Sequence, residues 1–125
     1  MKGLLVDTHV LLWSVGDEDR LSPAAHSVLS AGVLPAYVSA ASIWEIAIKK
    51  ASGKLRAPDN LLEKLAAARF GALEITFAHA SLAGELPPHH ADPFDRMLVA
   101  QAQSEGLTVV TRDQRIVAYD VPVLW

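Results

Sequence analysis

The sequence predicts an α/β fold, an α/β/α sandwich on a mainly parallel sheet of four to five strands. Three observations predict it. Short apolar runs such as Gly3-Leu4-Leu5-Val6, with no polar residue at alternate positions, suit strands buried on both faces. Longer stretches between such runs carry helix start and stop signals. The two kinds of segment alternate, which calls for right-handed crossovers with helices on both faces of the sheet. The chain is 125 residues long, the length of one ordinary domain, and residues 1–125 are read as a single domain. A hydrophobic share of 51% is ample for a core and excludes a disordered chain.

Taken in order, Gly3 to Val6 is the first strand. Ser22 followed by Pro23 supplies an N-cap and a first-turn proline for a helix that stops near Gly32. Pro35 to Val38 is the second strand. Ser39 opens a helix through Ile43, Trp44, Ile46, Ala47 and Ile48, apolar on nearly all sides until Lys49, Lys50 and Gly53, and so expected to be largely buried. Asp59 caps another helix, which ends toward Gly71. Leu73-Glu74-Ile75 makes the third strand. From Asp92 a helix runs with Phe94, Met97, Leu98 and Ala102 on one face, ends at Gly106 and leads into the strand Leu107-Thr108-Val109-Val110. Val121 to Leu124 adds an edge strand.

There is no cysteine, so disulfide frameworks, thiolate zinc sites and cysteine nucleophiles are excluded together. No apolar run approaches the roughly 18 residues that suggest a membrane span, and Asp7 comes too early for a signal peptide, which predicts a soluble, cytoplasmic protein. The formal charge of −3 supplies no general basic field for nucleic acid. A polyanion would have to bind through a local patch or through metal.

In open parallel sheets, ligands sit beyond the carboxyl ends of the strands where strand order reverses. Asp7 directly follows the first strand, and Asp113 follows the Leu107 strand after Thr111 and Arg112. Asp92 and Asp95 begin a helix, and Glu45 lies in the apolar one. Each acid has a plainer use. Asp7 can cap a helix starting at Thr8, and Asp92 before Pro93 can cap the next with Asp95 as its capping-box partner. Ser42 and Glu45 fit a capping box, Glu45 and Lys49 an i,i+4 pair, and Asp113 an ordinary turn.

Together, however, the acids ask for a cation. An unpaired Glu45 among Ile43, Trp44 and Ile46 is costly or stays protonated. Asp7, Asp95 and Asp113 converging on one rim disfavour joint ionisation unless something positive lies between them. Ligation by oxygen alone favours Mg²⁺ or Mn²⁺ over zinc. Such a site accepts phosphate without a basic surface, and two ions would clamp an in-line displacement, so phosphodiester hydrolysis is the chemistry predicted.

Four motifs sharpen this. They are Leu4-Leu5-Val6-Asp7-Thr8-His9-Val10-Leu11-Leu12-Trp13; Ser39 through Glu45 to Lys49, followed by Gly53-Lys54-Leu55; His90-Ala91-Asp92-Pro93-Phe94-Asp95-Arg96 through Ala102; and Val110-Thr111-Arg112-Asp113. In this order, over nearly the whole chain, they resemble the PIN-domain ribonucleases, and among these the VapC-type toxins of bacterial toxin–antitoxin pairs. The resemblance implies an α/β/α sandwich of PIN type, a divalent-metal-dependent endoribonuclease cutting RNA, a homodimer, and a partner antitoxin that blocks the site. It places the family's acidic quartet on Asp7, Glu45, Asp95 and Asp113, with Asp92 kept as a cap. Ala91 stands where relatives are often basic, and Ile116 where they often carry phenylalanine.

On this reading Asp7 and Asp95 hold Mg²⁺ directly, Asp113 and Glu45 complete the site directly or through water, and a metal-activated water attacks phosphorus. Arg96, Arg112, Lys49 and Arg115 are the candidates for positioning RNA, their plainer role being surface charge. His9, His89 and His90 lack ligand spacing and are assigned to loops or surface. Trp13, Trp44 and Trp125 are assigned to core or interface. A receiver-like signalling domain would need adjacent acids after the first strand and a lysine after the last, whereas Thr8 follows Asp7 and no lysine lies beyond Lys64. A nucleotide-binding domain would need a P-loop or G-x-G-x-x-G, and neither occurs. A catalytically silent interaction module is the remaining alternative.

Overall fold

The computed structural model describes residues 2–125. Five strands, β1 (Leu4–Val6), β2 (Ala36–Ser39), β3 (Gly71–Leu73), β4 (Thr108–Val110) and β5 (Val123–Leu124), form one sheet. Their spatial order is β3-β2-β1-β4-β5 and every pairing is parallel. The helices are α1 (Thr8–Gly16), α2 (Pro23–Ala31), α3 (Ala40–Ala51), α4 (Leu61–Ala67), α5 (Phe77–Glu85), α6 (Pro93–Glu105) and α7 (Gln114–Val117). From central β1 the chain winds outward through β2 and β3, then returns to the other side of β1 for β4 and β5. Strand order therefore reverses between β1 and β4, and the residues that follow these two strands share one crevice.

The apolar run of β1 has partners on both faces. Leu4 and Val6 pack with Val10, Leu11, Ala25, Val38, Ile46 and Leu65 on one side. Leu5, one position out of phase, packs with Leu98, Val99, Val109 and Ile116 on the other. All three β1 side chains are fully buried, and each contributes about 1.5–3 kcal/mol relative to an exposed position.

Local chemistry sets the helix ends much as the sequence predicts. Ser22 accepts a hydrogen bond from the Ala25 N–H at 3.0 Å, with Pro23 in the first turn of α2. Asp92 caps α6, which closes at Gly106 with a left-handed φ of 68°. Three expectations need correction. The third strand begins at Gly71 and ends at Leu73, two residues earlier than Leu73-Glu74-Ile75 implied. Gly71 lies opposite Tyr37, and a Cβ there would come within 2.9 Å of the tyrosine ring, so this register requires glycine. Asp59 does not cap α4, whose N-cap is Asn60, because its carboxylate binds the Lys50 ammonium at 2.6 Å instead. Finally, α3 is buried on one face only, through Ala41, Ser42, Glu45 and Ile46, while Trp44 is 63% exposed. Ser39, not Ser42, caps it. Among the described residues no helix is long and apolar enough to cross a membrane.

Candidate metal centre

Three helix N-termini open onto the crevice at the β1/β4 boundary, and a capping aspartate stands at each. Asp7 follows β1 and caps α1, its Oδ1 accepting the Val10 N–H at 2.8 Å. Asp92 caps α6 by accepting the N–H groups of Phe94 and Asp95. Asp113 follows β4 and caps α7 by accepting the Arg115 N–H at 2.9 Å. Capping and gathering at a common cleft are thus compatible roles, since backbone N–H groups and helix dipoles offset part of the repulsion between the carboxylates. Asp95 adds a carboxylate from the first turn of α6, and buried Glu45 adds one from α3.

The cleft has a volume of about 770 Å³ and is lined by Asp7, Glu45, Asp92, Asp95 and Asp113 together with Lys49, His90, Trp13, Arg112 and Arg115. Within it the acids are not equivalent. Asp7 accepts the Thr111 hydroxyl through its second oxygen, and Thr111 in turn accepts the Asp113 N–H at 3.0 Å. Glu45 accepts the Thr8 hydroxyl at 2.6 Å and the Lys49 ammonium, so the cation it needs is already supplied one helical turn along. The tightest group of potential ligands among the described residues is His90, Asp95 and Asp113, whose ligand atoms lie within 4.8 Å of one another. Asp7 and Glu45 line the same cleft outside that group.

Electrostatics follow this geometry. Burial, then the neighbouring Asp92 charge, pushes the Asp95 carboxyl up to about 7, against the opposing pull of His90. Burial also raises Asp7, with Thr111 and Val10 as hydrogen-bond donors acting the other way. For Asp113 burial is outweighed by the Arg115 N–H and by His90, which hold it below its ordinary value. The hydrogen bond to Glu45 raises Lys49. Asp95, raised to about 7 beside the Asp7 and Asp113 carboxyls, fits a hard divalent cation, which would replace its proton.

The basic and aromatic candidates divide sharply. Arg112 is exposed, and its guanidinium carbon lies 4.8 Å from the centroid of Trp13, which packs on Trp125. No carboxylate among the described residues pairs with it. Arg115 reaches Asp113. Lys49 is committed to Glu45. Arg96 is not brought to the cleft: its guanidinium donates to the carbonyls of Ala83, Leu86 and Pro87 at 2.9–3.0 Å, closing the C-terminal end of α5. His9 and His89 are exposed, as expected.

His90 departs from its assigned surface role. It is 4% exposed, and its Nε2 reaches Asp113 Oδ2 and Asp95 Oδ2, each at 3.0 Å. Thr111 also escaped the sequence reading, although its hydroxyl two positions before Asp113 is a turn-forming signal.

A family model for the PIN domain matches residues 4–122. The chain belongs to the PIN-domain family. No curated protein sequence matches it. Among solved structures, a chain of DNA-bound VapBC from Salmonella typhimurium is similar at a TM-score of 0.73 and 18% identity, over 99% of this chain and 98% of that one. VapBC2 from Rickettsia felis, bound to a promoter DNA fragment, aligns at 0.72 and 14%, over 97% and 96%. FitAcB from Neisseria gonorrhoeae aligns at 0.64 and 22%, over 98% and 96%. At these identities the likeness establishes the fold. PIN domains as a family are nucleases that generally depend on divalent metal, and the acid-lined cleft of this PIN domain lies at the strand-order reversal, where open parallel sheets bind ligands.

Proposed function

We propose that this PIN domain is a Mg²⁺-dependent endoribonuclease, with Mn²⁺ able to substitute, acting as the toxin of a cytoplasmic toxin–antitoxin pair. The observation that carries the reading is the gathering of Asp7, Asp95 and Asp113, from three separate elements, at one cleft beside Arg112, which pairs with no carboxylate among the described residues. Asp7, Asp95 and Asp113 would hold the cation, with Asp92 behind them as a cap. When bound, a divalent ion there supplies an acidified water and charge neutralisation at the phosphate.

The protein's own groups do the rest. Thr111 and the Val10 N–H hold Asp7 against rotation where it lines the cleft. Lys49 supplies the counter-charge to Glu45. Arg112, held against Trp13, is the side chain best placed to take a phosphate oxygen next to the one cleaved, because the ring steadies its guanidinium and no carboxylate among the described residues competes for it. No side-chain nucleophile is required.

The antitoxin is suggested by the similar VapBC and FitAB assemblies, which are toxin–antitoxin complexes. Surface is available for it and for a second copy in a homodimer. An apolar cleft of about 610 Å³ runs along α3, α4 and edge strand β3, lined by Ile43, Trp44, Leu62, Leu65, Phe70 and Leu73. Nearby Phe77 is 97% exposed.

Incubating purified protein with single-stranded RNA, with and without Mg²⁺, tests the activity. Cleavage that requires the metal and is abolished in Asp7→Asn is expected. Metal-independent cleavage, or full activity in Asp7→Asn, would refute the proposal.

A further inference from the structure

We infer that His90 is a positioning residue of the cleft, acting as a hydrogen-bond donor that spaces Asp95 and Asp113 for the cation, and is not itself a metal ligand. The inference rests on the metal-centre reading proposed above and adds to it the role of a residue that reading does not use.

Distance alone would make His90 a ligand, because its Nε2 completes the only close group of potential donors among the described residues. Its other nitrogen decides otherwise. His90 Nδ1 accepts the Asp92 N–H at 3.2 Å, and a backbone amide can only donate. The neutral ring therefore carries its proton on Nε2, the atom that faces the two carboxylates. That N–H donates to Asp113 Oδ2 at 3.0 Å with Asp95 Oδ2 equally near. An Nε2 that already holds a proton has no lone pair to offer a metal. Ligation would require the proton to move to Nδ1, against the Asp92 amide.

The backbone that carries the ring is also fixed. The His90 main-chain N–H donates to the Tyr119 hydroxyl at 2.9 Å, and that hydroxyl donates to the Pro87 carbonyl at 2.7 Å. Arg96 grips the same loop through the Pro87 carbonyl. His90 thus ties the start of α6 to the start of α7, the two elements that present Asp95 and Asp113, and holds one oxygen of each at a set separation.

Mn²⁺ binding, measured by calorimetry and by pulsed paramagnetic resonance on ¹⁵N-histidine-labelled protein, tests this without relying on turnover. Wild type is expected to bind Mn²⁺ with no directly coordinated histidine nitrogen. His90→Gln, whose amide N–H₂ can stand where Nε2–H stood, is expected to stay within about threefold in affinity, whereas His90→Leu loses about 10–100-fold. A coordinated histidine nitrogen that disappears in His90→Gln, or wild-type affinity in His90→Leu, would overturn the inference while leaving the metal site intact. Absence of Mn²⁺ binding by wild type would instead overturn the metal-centre reading, and this inference with it. Should His90→Leu fail to fold, the nitrogen coupling and the affinity of His90→Gln decide alone.

Discussion

The Thr111 hydroxyl donates to the carboxylate of Asp7 across the β1/β4 boundary, joining residues 104 positions apart in the chain. Both groups are buried, and Thr111 simultaneously accepts the Asp113 N–H. Replacing it by the near-isosteric valine leaves an acceptor and a donor unpaired. Thr111→Val is expected to lose about 1–3 kcal/mol of stability in denaturant unfolding. It should also push Asp7 further up, since Thr111 is the largest influence holding it down, and so weaken Mn²⁺ binding. Unchanged stability and affinity would contradict this.

The raised Asp95 carboxyl sets a pH dependence. Folding lifts it from an ordinary value of 3.8 to about 7, so between these values the native state keeps a proton that the unfolded chain has released. The contribution of Asp95 to stability is full below the lower value and is lost as the pH rises through the upper one. Metal-free protein is therefore expected to melt at a lower temperature near pH 8 than near pH 6. A cation displaces the same proton, so apparent Mn²⁺ affinity should rise up to about pH 7 and level off above. Melting curves with and without Mn²⁺ at both pH values check the sign.

Lys49 is expected to behave as the counter-ion of Glu45. Lys49→Met leaves a buried carboxylate with only the Thr8 hydroxyl, and should cost about 1–3 kcal/mol, less than a fully buried pair because the ammonium is partly exposed. Adding Glu45→Gln should recover most of that loss. A double variant no more stable than Lys49→Met would argue against the pairing.

The two arginines should separate cleanly. Arg112→Ala is expected to leave the melting temperature unchanged and to reduce RNA affinity, with the salt slope falling by about 0.7, as for one lost contact to single-stranded phosphate. Arg96→Ala is expected to lower the melting temperature, because the Ala83 and Leu86 carbonyls lose their donor and the Pro87 carbonyl keeps only the Tyr119 hydroxyl. Salt titrations on inactive Asp7→Asn protein avoid cleavage during the measurement.

Much of this was legible in the sequence because burial and capping leave local marks. The unbroken apolar run at Leu4 to Val6 marks a strand covered on both faces, and Ser22-Pro23 and Asp92-Pro93 mark helix starts. That Asp7, Asp95 and Asp113 share one cleft follows from the alternation of strands and helices, which places residues after β1 and β4 at one rim. What escaped depends on contacts between distant segments. His90 is buried because Tyr119, Arg96 and the Pro87 carbonyl fix its loop, and nothing near His90 in the chain encodes that. Arg96 reads as a surface cation until α5 brings its terminal carbonyls alongside. The i,i+4 spacing of Glu45 and Lys49 is visible in the sequence, and the structure pairs them, whereas the burial of Glu45 alone pointed to a metal.

Whether Asp7, Asp95 and Asp113 share a cation is decided by anomalous scattering from crystals soaked in Mn²⁺. A peak is expected inside the cleft, within ligand distance of Asp95 and at least one of Asp7 and Asp113, and it vanishes in Asp95→Asn. An empty cleft in protein that still cuts RNA, or a manganese peak bound elsewhere and unaffected by Asp95→Asn, would contradict the shared site.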